Sequence, residues 1–272
     1  MTALRILAAA LTLGGLVAAP VSAQACGADT DCVVEDGTYR VVTPDGAPKG
    51  AILYFHGWQG TAPGVMRNGA LARVARERDL LLIAPNGRNK TWAYPGSPSQ
   101  ARDDFAFVDS VMADVETRFG VTRDTTMVTG FYIGGSMAWS VACYRGEGFL
   151  GFAPVAGAFW DPIPESCPSP VPNLLHVHGT SDTVVPMEGR PIGDGWHQSD
   201  VRESLAVWYE QGACDAPVDQ SRSGLACEAR ACGADTTTLI ELCLHPGGHS
   251  IRTEWVAQAW DKLAILRGMI GQ

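Results

Sequence analysis

The stretch TTMVTGFYIGGS, residues 125–136, decides the fold. The β-branched and aliphatic residues up to Thr129 predict a strand, and the residues from Ile133 onward predict a helix. Between them, Gly130-Phe131-Tyr132-Ile133-Gly134-Gly135 matches the strand-turn-helix motif G-x-S-x-G, with tyrosine in the serine position. Small flanking residues let a strand and a helix approach closely enough for such a turn. An ordinary glycine-rich strand-to-helix junction is the alternative interpretation.

The remaining chain alternates short aliphatic runs with longer segments of helical period, which predicts an α/β protein. We expect a mostly parallel central sheet with helices on both faces, in a single domain. The predicted strands are 51–55, 80–84, 125–129, 151–155, 173–177 and 238–244. The predicted helices are 64–78, 103–119, 133–144, 200–212 and 254–267. Glycine and proline concentrate in four predicted loops, 85–96, 161–172, 186–196 and 215–235.

The first residues resemble an export signal. Arg5 precedes an apolar run over 6–17, and Val21-Ser22-Ala23 supplies the small residues of a cleavage site. A membrane anchor is the alternative, but this run is shorter than the roughly 20 apolar residues that a span needs. We therefore predict a signal peptide at 1–23, a mature domain at 24–272, and a secreted protein, extracellular or periplasmic.

The eight cysteines are even in number, which in an exported chain predicts disulfides. Cys26 and Cys32 could close a local loop, and the last four cysteines could pair among themselves, although sequence leaves the connectivity open. The net charge of -9 argues against a nucleic-acid partner, because phosphate binding needs clustered Lys and Arg. We expect a monomer that does not associate with membranes once the signal is removed.

Two further polar residues follow predicted strands, where the chemistry of open α/β sheets gathers. Asp182 lies in the loop after the strand at 173–177, and His249 lies in the loop after the strand at 238–244. An acid that fixes the tautomer of a histidine, and a histidine that moves a proton, would occur in this order after the glycine-rich turn. A turn-forming aspartate and a surface histidine are the alternative. Asp194 and Asp200 are the next candidates for the acid.

An oxyanion hole is predicted from two backbone amides. Tyr54-Phe55-His56-Gly57-Trp58-Gln59-Gly60 follows an early strand, and the Trp58 amide is the first candidate. The Ile133 amide, directly after the turn residue, is the second. We expect His56 to brace this loop. Three aromatic residues on loops could line a substrate groove or pack in the interior: Trp92, Tyr94 and Trp160.

Taken together, these motifs resemble the secreted polyhydroxybutyrate depolymerase and feruloyl esterase-like family of α/β hydrolases. The resemblance rests on His56-Gly57, Arg102-Asp103-Asp104, the glycine-rich turn, Pro154-Val155-Ala156-Gly157, His178-Gly179-Thr180-Ser181-Asp182 and Gly248-His249. It implies an α/β-hydrolase fold and hydrolysis of hydroxyalkanoate or phenolic-acid esters without a cofactor. The family's catalytic triad would map onto Tyr132, Asp182 and His249. The first of these positions does not match, because the family carries serine there.

Tyrosine at this position predicts an inactive or severely impaired esterase. A phenol carries its oxygen several ångströms beyond the place of a serine hydroxyl, past both the histidine and the oxyanion donors. Ser136 offers a shifted register of the motif, but it lies one turn inside the predicted helix. A non-catalytic protein that binds an ester or polymer, with Tyr132 as a stacking surface, is the alternative function. His176 and His178 share one face of a strand without a third ligand, so we predict no metal site.

Overall fold

The computed structural model describes residues 26–222, 224–234 and 236–271, and the predicted signal peptide lies outside them. The strands are β1 (Cys32–Val34), β2 (Gly37–Val42), β3 (Gly50–Phe55), β4 (Leu80–Pro85), β5 (Thr126–Phe131), β6 (Gly151–Val155), β7 (Leu174–Gly179), β8 (Arg190–Ile192), β9 (Trp196–Gln198), β10 (Val218–Asp219), β11 (Ala226–Cys232) and β12 (Thr238–His245). The helices are α1 (Ala62–Met66), α2 (Gly69–Arg76), α3 (Asp104–Phe119), α4 (Ile133–Arg145), α5 (Val201–Gln211) and α6 (Thr253–Leu266).

A ten-stranded sheet runs through the molecule in the order β1-β2-β4-β3-β5-β6-β7-β12-β11-β10. The six central strands, β4, β3, β5, β6, β7 and β12, pair in parallel. They are the six strands predicted from sequence. Antiparallel strands extend both edges, with β2 and β1 on one side and β11 and β10 on the other. The prediction of a mostly parallel sheet is confirmed.

Apolar residues cover both faces of this sheet. Along β3, Leu53 and Phe55 face one core while Ile52 faces the other, because successive side chains in a strand point in opposite directions. Helices α3, α4 and α5 pack on the first face, and α1, α2 and α6 pack on the second. The predicted two-sided covering is confirmed. Within the described residues, no helix combines the length and the apolar character that crossing a membrane requires.

The predicted helix at 64–78 is wrong as a single element, because two helices occupy this region. Thr61 caps α1 by accepting a hydrogen bond from the Gly64 amide at 3.2 Å. Asn68 interrupts the segment and caps α2 by accepting from the Leu71 amide at 3.1 Å. Serine, threonine and asparagine satisfy the free amides at a helix start, so a cap in mid-segment begins a new helix.

Two predicted loops contain strands instead. The loop at 186–196 includes β8 and the start of β9, which form an antiparallel hairpin. The loop at 215–235 includes β10 and β11. In β11 the buried side chains are only cysteine and alanine, alternating with charged residues, and this composition carries a weak strand signal.

Four disulfides use all eight cysteines: Cys26–Cys32, Cys143–Cys167, Cys214–Cys232 and Cys227–Cys243. The suggested local loop and the pairing of the last four cysteines among themselves are both confirmed. The bridge between Cys227 and Cys243 joins β11 to β12 at directly opposed positions. The bridge between Cys214 and Cys232 joins the end of β11 to the segment after α5, so the two C-terminal bridges fasten the antiparallel edge both to the sheet and to this segment.

We expect a reducing agent to lower the thermal unfolding temperature substantially. Each disulfide contributes about 2 to 4 kcal/mol by restricting the unfolded chain. Thermal unfolding followed by circular dichroism, with and without phosphine reductant, measures the change. As a control, thiol alkylation of the denatured but unreduced protein should modify no cysteine. Eight alkylated thiols, or an unchanged midpoint after complete reduction, would contradict the prediction.

Candidate active site

The turn between β5 and α4 holds Tyr132 in a strained backbone conformation, with φ 61° and ψ -124°. The flanking glycines make this turn possible by close approach. A Cβ on Gly134 would overlap the carbonyl oxygen of Phe55 on β3, and a Cβ on Gly130 would overlap the carbonyl oxygen of Gly134. The geometry is that of a nucleophile elbow, which lifts the side chain of its central residue above the carboxyl end of the sheet.

Asp182 and His249 form a hydrogen-bonded pair beside this elbow. His249 Nδ1 lies 2.7 Å from Asp182 Oδ2. The other carboxylate oxygen, Oδ1, accepts hydrogen bonds from the amides of Val184 at 2.8 Å and Val185 at 2.9 Å. The carboxylate is therefore held from both sides, and its free oxygen is aimed at the imidazole. Such a pair fixes the tautomer that leaves His249 Nε2 available as a base.

The alternative acids lie elsewhere. Asp200 caps α5 by accepting from the amides of Arg202 and Glu203, at 2.6 and 3.0 Å. Asp194 is exposed at the tip of the β8–β9 hairpin. Neither has a hydrogen bond or ion pair to His249 in the described part of the chain.

Burial and hydrogen bonding act in opposite directions on the Asp182 carboxyl. Burial raises its pKa, while the hydrogen bonds from His249, Val185 and Val184 lower it, and the net pKa lies below the ordinary value. Asp182 is thus an anion at neutral pH. Its charge favours a positive imidazole, which is the form that His249 takes on when it accepts a proton.

Tyr132 lies between His249 and the open side of the site. The two rings meet edge to face, with their centroids 5.0 Å apart. Phe131 covers the imidazole from another side at 4.5 Å. His249 Nε2 is buried and has no hydrogen-bond partner among the described residues. The atom that would accept the proton of a serine hydroxyl is therefore present, sheltered and unsatisfied.

The predicted oxyanion loop lies against the elbow. A Cβ on Gly57 would stand 3.7 Å from the Cβ of Tyr132. His56 braces the loop from below, since its Nδ1 contacts the Gly57 carbonyl at 2.8 Å and its Nε2 accepts from the Gly87 amide at 3.0 Å. Trp92 adds a hydrogen bond from its indole to the His56 carbonyl at 2.8 Å.

Ile133 occupies the first position of α4. The first amides of a helix have no partner within the helix, so its N–H is free to donate outward. Trp58 and Ile133 both line the same cavity as Tyr132, and their role as oxyanion donors stays a prediction.

A cavity of about 670 Å³ opens beside the elbow. Aromatic side chains dominate its wall: Trp58, Trp92, Tyr94, Tyr132, Trp160 and Trp196. The three aromatic residues singled out from the sequence all lie on this wall, although all three are largely buried. Trp58 and Trp196 are instead 61% and 42% exposed, so they flank the mouth. His249 does not reach the wall formed by the described residues, whereas Tyr132 does.

Ser136, the alternative nucleophile, is committed to structural contacts. It is buried within α4, and its hydroxyl oxygen accepts from the Ala158 amide at 3.3 Å. The Tyr94 phenol also bonds to it, and burial raises the pKa of that phenol far above its usual range, so Tyr94 stays neutral. A nucleophile needs a base beside it, and the imidazole of His249 contacts Tyr132 instead of Ser136.

The residues with metal-binding potential are already occupied. His176 and His178 hydrogen-bond to each other at 2.9 Å. Cys227, Glu241 and Cys243 converge elsewhere, but both sulfurs belong to one disulfide. The Glu241 carboxylate there pairs with Lys262 at 2.6 Å and with Arg222 at 3.0 Å.

Comparison with known proteins places this geometry in context. No family model matches the chain. A probable feruloyl esterase C of Aspergillus clavatus is 29% identical over 176 residues, covering 62% of this chain and 56% of that protein. A feruloyl esterase C of Emericella nidulans is 31% identical over 116 residues, covering 40% and 38%. The chain is a distant homologue of the fungal feruloyl esterases.

The chain also matches a putative esterase, NocK, of Nocardia uniformis, with 27% identity over 230 residues covering 76% of the chain and 66% of the relative. It spans little more than half the length of the first fungal relatives. Its fold matches an acetyl xylan esterase from Aspergillus awamori with a TM-score of 0.61 and 13% identity, over 83% of this chain and 94% of that one. A Bacillus cereus carboxylesterase matches with a TM-score of 0.56 and 12% identity, over 84% and 95%. The predicted α/β-hydrolase fold is confirmed.

Sequence reasoning missed two features of the candidate site: part of the cavity wall, and the residue that covers the imidazole. The β8–β9 hairpin supplies Arg190, Ile192 and Trp196 to the cavity wall, and the segment 97–101 supplies the opposite side. The signal for the hairpin was Gly193-Asp194-Gly195, a turn sequence between two short runs. Phe131 was the second omission, since only the structure shows that the residue before the elbow covers the imidazole.

Proposed function

We propose that this protein has the catalytic scaffold of a carboxylic-ester hydrolase that works by Ser-His-Asp acyl transfer, with its nucleophile position filled by Tyr132. One observation carries the proposal: Asp182 and His249 form a 2.7 Å pair next to a strained elbow that holds no serine. The distant esterase relatives and the esterase fold support it. The chain as it stands is inactive or severely impaired in this chemistry.

The geometry explains why tyrosine does not substitute for serine. A serine hydroxyl at this backbone position would lie between His249 Nε2 and the amides of Trp58 and Ile133. The Tyr132 ring occupies that space edge-on to the imidazole and continues to the cavity wall. Its phenolic oxygen therefore lies beyond the base that would activate it, and the ring fills the volume where the acyl carbon would be attacked.

The cavity supports an ester with an aromatic acyl group as the substrate of this scaffold. Tyr94 and Trp160 meet edge to face with centroids 6.2 Å apart, and such walls accept a planar ring by offset or edge contacts. The alternative acyl group is a hydroxyalkanoate, as in a polyester. Exposed Trp58 and Trp196 at the mouth offer flat apolar surfaces to the polymer that either group is attached to.

The alternative function is non-catalytic binding of an ester or polymer in the same cavity. The observation that favours it is the group of aromatic side chains that line the cavity, to which Tyr132 contributes its own ring. The intact Asp182–His249 pair argues against it, because a binding site has no use for a sheltered base with an unsatisfied Nε2.

The four disulfides agree with an oxidising compartment. We propose that the protein is exported by cleavage after residue 23 and acts outside the cytoplasm as one monomeric domain, without cofactor or metal. Mass spectrometry of the protein secreted from a host cell tests this. An N-terminus still at Met1 would contradict it.

A fluorophosphonate probe tests the proposed function, because it labels a serine only when a base and oxyanion donors activate that serine. We expect no labelling of the unmodified protein and stoichiometric labelling at residue 132 of Tyr132→Ser. The Tyr132→Ala variant opens the same space without a hydroxyl and serves as the matched control. Labelling of Ser136 in the unmodified protein would overturn the assignment of the nucleophile position.

A further inference from the structure

A row of buried hydrogen bonds crosses the protein from helix α4 to the loop that carries Asp182. The Trp139 indole N–H donates to His176 Nδ1 at 3.3 Å. His176 Nε2 and His178 Nδ1 are 2.9 Å apart, and His178 Nε2 lies 2.7 Å from the Val185 carbonyl oxygen. Trp139, His176 and His178 are completely buried. We call these three side chains the relay.

The relay has a fixed direction. The indole of Trp139 can only donate, so His176 Nδ1 must accept, and a neutral His176 carries its proton on Nε2. That proton is donated to His178 Nδ1, which leaves the proton of His178 on Nε2, directed at a carbonyl that can only accept. One arrangement of protons therefore satisfies each hydrogen bond from Trp139 to Val185, with the Pro154 carbonyl as a further acceptor beside His176, and both imidazoles are neutral.

Electrostatics agree with this arrangement. Burial lowers the pKa of His178, and it lowers the pKa of His176 well below the ordinary value. A positive charge on either ring would also place two donors face to face, because each ring nitrogen would then carry a proton.

The relay ends at the residue that holds the acid. The Val185 carbonyl accepts from His178, while the Val185 amide donates to Asp182 Oδ1 at 2.9 Å. His178 Nε2 itself is 3.8 Å from Asp182 Oδ2, which is too far for a hydrogen bond. The histidine therefore acts on the carboxylate by fixing the backbone of Val185, whose carbonyl and amide lie in the peptide groups on either side of its Cα, and leaves Oδ2 to His249.

We infer that His178 is a positioning residue for Asp182, and that His176 and Trp139 orient it from the helix that begins at the elbow. The inference rests on the proposed role of the Asp182–His249 pair. Two imidazoles in an apolar core are costly to desolvate, and an apolar core of the same volume would serve packing alone equally well. What the histidines add is a donor of fixed direction beneath the acid loop.

Nitrogen NMR of the unmodified protein gives the first test. We expect both His176 and His178 as neutral Nε2–H tautomers from pH 5 to 8. An Nδ1–H tautomer or a titration of either ring in that range would overturn the inference, because the row could not then run from Trp139 to Val185.

Substitution of His178 gives the second test, with readouts that do not depend on turnover. In His178→Leu we expect the His249 Nδ1 proton to exchange with water about tenfold faster. A tenfold change corresponds to the net free energy of one typical hydrogen bond. The pKa of Asp182, followed by carboxyl NMR, should rise toward its ordinary value. His178→Gln carries an amide donor that can reach the Val185 carbonyl and should restore both readouts.

Thr129→Val is the matched control, since it deletes a different buried donor, the 2.6 Å bond to the Ala153 carbonyl. It should leave the Asp182 and His249 readouts unchanged. Equal changes of the Asp182 and His249 readouts in Thr129→Val and His178→Leu would show that the relay serves only core packing, and would overturn the inference. Unchanged readouts in His178→Leu would also overturn it. If His178→Leu does not fold, Trp139→Phe removes only the first donor and is measured instead. An inactive Tyr132→Ser enzyme would contradict the proposed function and leave these outcomes readable.

Discussion

Replacing Tyr132 by serine should raise the turnover of a short p-nitrophenyl ester by about 10³- to 10⁶-fold, the range by which serine enzymes fall when a triad member is removed. The remaining parts of the site are in place: the 2.7 Å Asp182–His249 pair, the strained elbow and the amide of Ile133 at the start of α4. Removing the ring also connects His249 Nε2 with the cavity. Steady-state hydrolysis by both proteins measures the effect.

Tyr132→Ala separates the two consequences of the substitution, because it opens the same space and supplies no hydroxyl. Equal rates for the serine and alanine variants would show that residue 132 is not the nucleophile position, and would favour the binding protein. Comparing a methyl ester of a phenolic acid with a 3-hydroxybutyrate ester then tests the substrate class. The aromatic wall predicts the larger kcat/KM for the phenolic ester.

The second large effect concerns the acid. In the Tyr132→Ser background, Asp182→Asn should lower kcat by about 10⁴-fold, the loss seen when the equivalent acid of a serine enzyme becomes an amide. Asparagine can donate to His249 Nδ1, so the imidazole would turn its remaining proton toward the serine hydroxyl that it should deprotonate. The kcat of the two variants at neutral pH measures the loss.

The chain supplies a matched control for this substitution. Asp161 lies close to a second histidine, with its carboxylate 2.8 Å from His197 Nδ1, but both side chains are more than 40% exposed, unlike those of Asp182 and His249. Asp161→Asn should change kcat little. A small effect of Asp182→Asn, or a comparable loss in Asp161→Asn, would show that Asp182 does not act as the acid of the triad.

Sequence was sufficient for the parallel centre of the sheet and for the residues that meet at its carboxyl edge. The six parallel strands are continuous aliphatic runs because they are buried on both faces, and such runs can be recognised from the sequence alone. Each of Tyr132, Asp182 and His249 follows one of them, so the topology alone brings their loops together.

The antiparallel edges could not be predicted in the same way. β11 relies on cysteines whose burial depends on the disulfides, and the separate β8–β9 hairpin has strands of only three residues each. The break between α1 and α2 depends on a cap by Asn68, which propensity alone does not distinguish from a surface residue. The relay could be predicted from the sequence only in part. The alternation of His176 and His178 placed them on one face, but the partners Trp139 and Val185 come from other elements.

The positive φ of Tyr132 bears on how this turn differs from that of an active esterase. A non-glycine residue held in a sparsely populated region of φ and ψ costs about 1 to 3 kcal/mol. In a serine hydrolase that cost is offset by catalysis, whereas under the proposed function a tyrosine here contributes nothing to catalysis. Glycine would adopt this conformation without strain. Selection for stability alone would therefore favour glycine at position 132, or a turn without strain. Neither is present, so the strained turn of an elbow is retained, and under the proposed function a single side chain separates this protein from an active esterase.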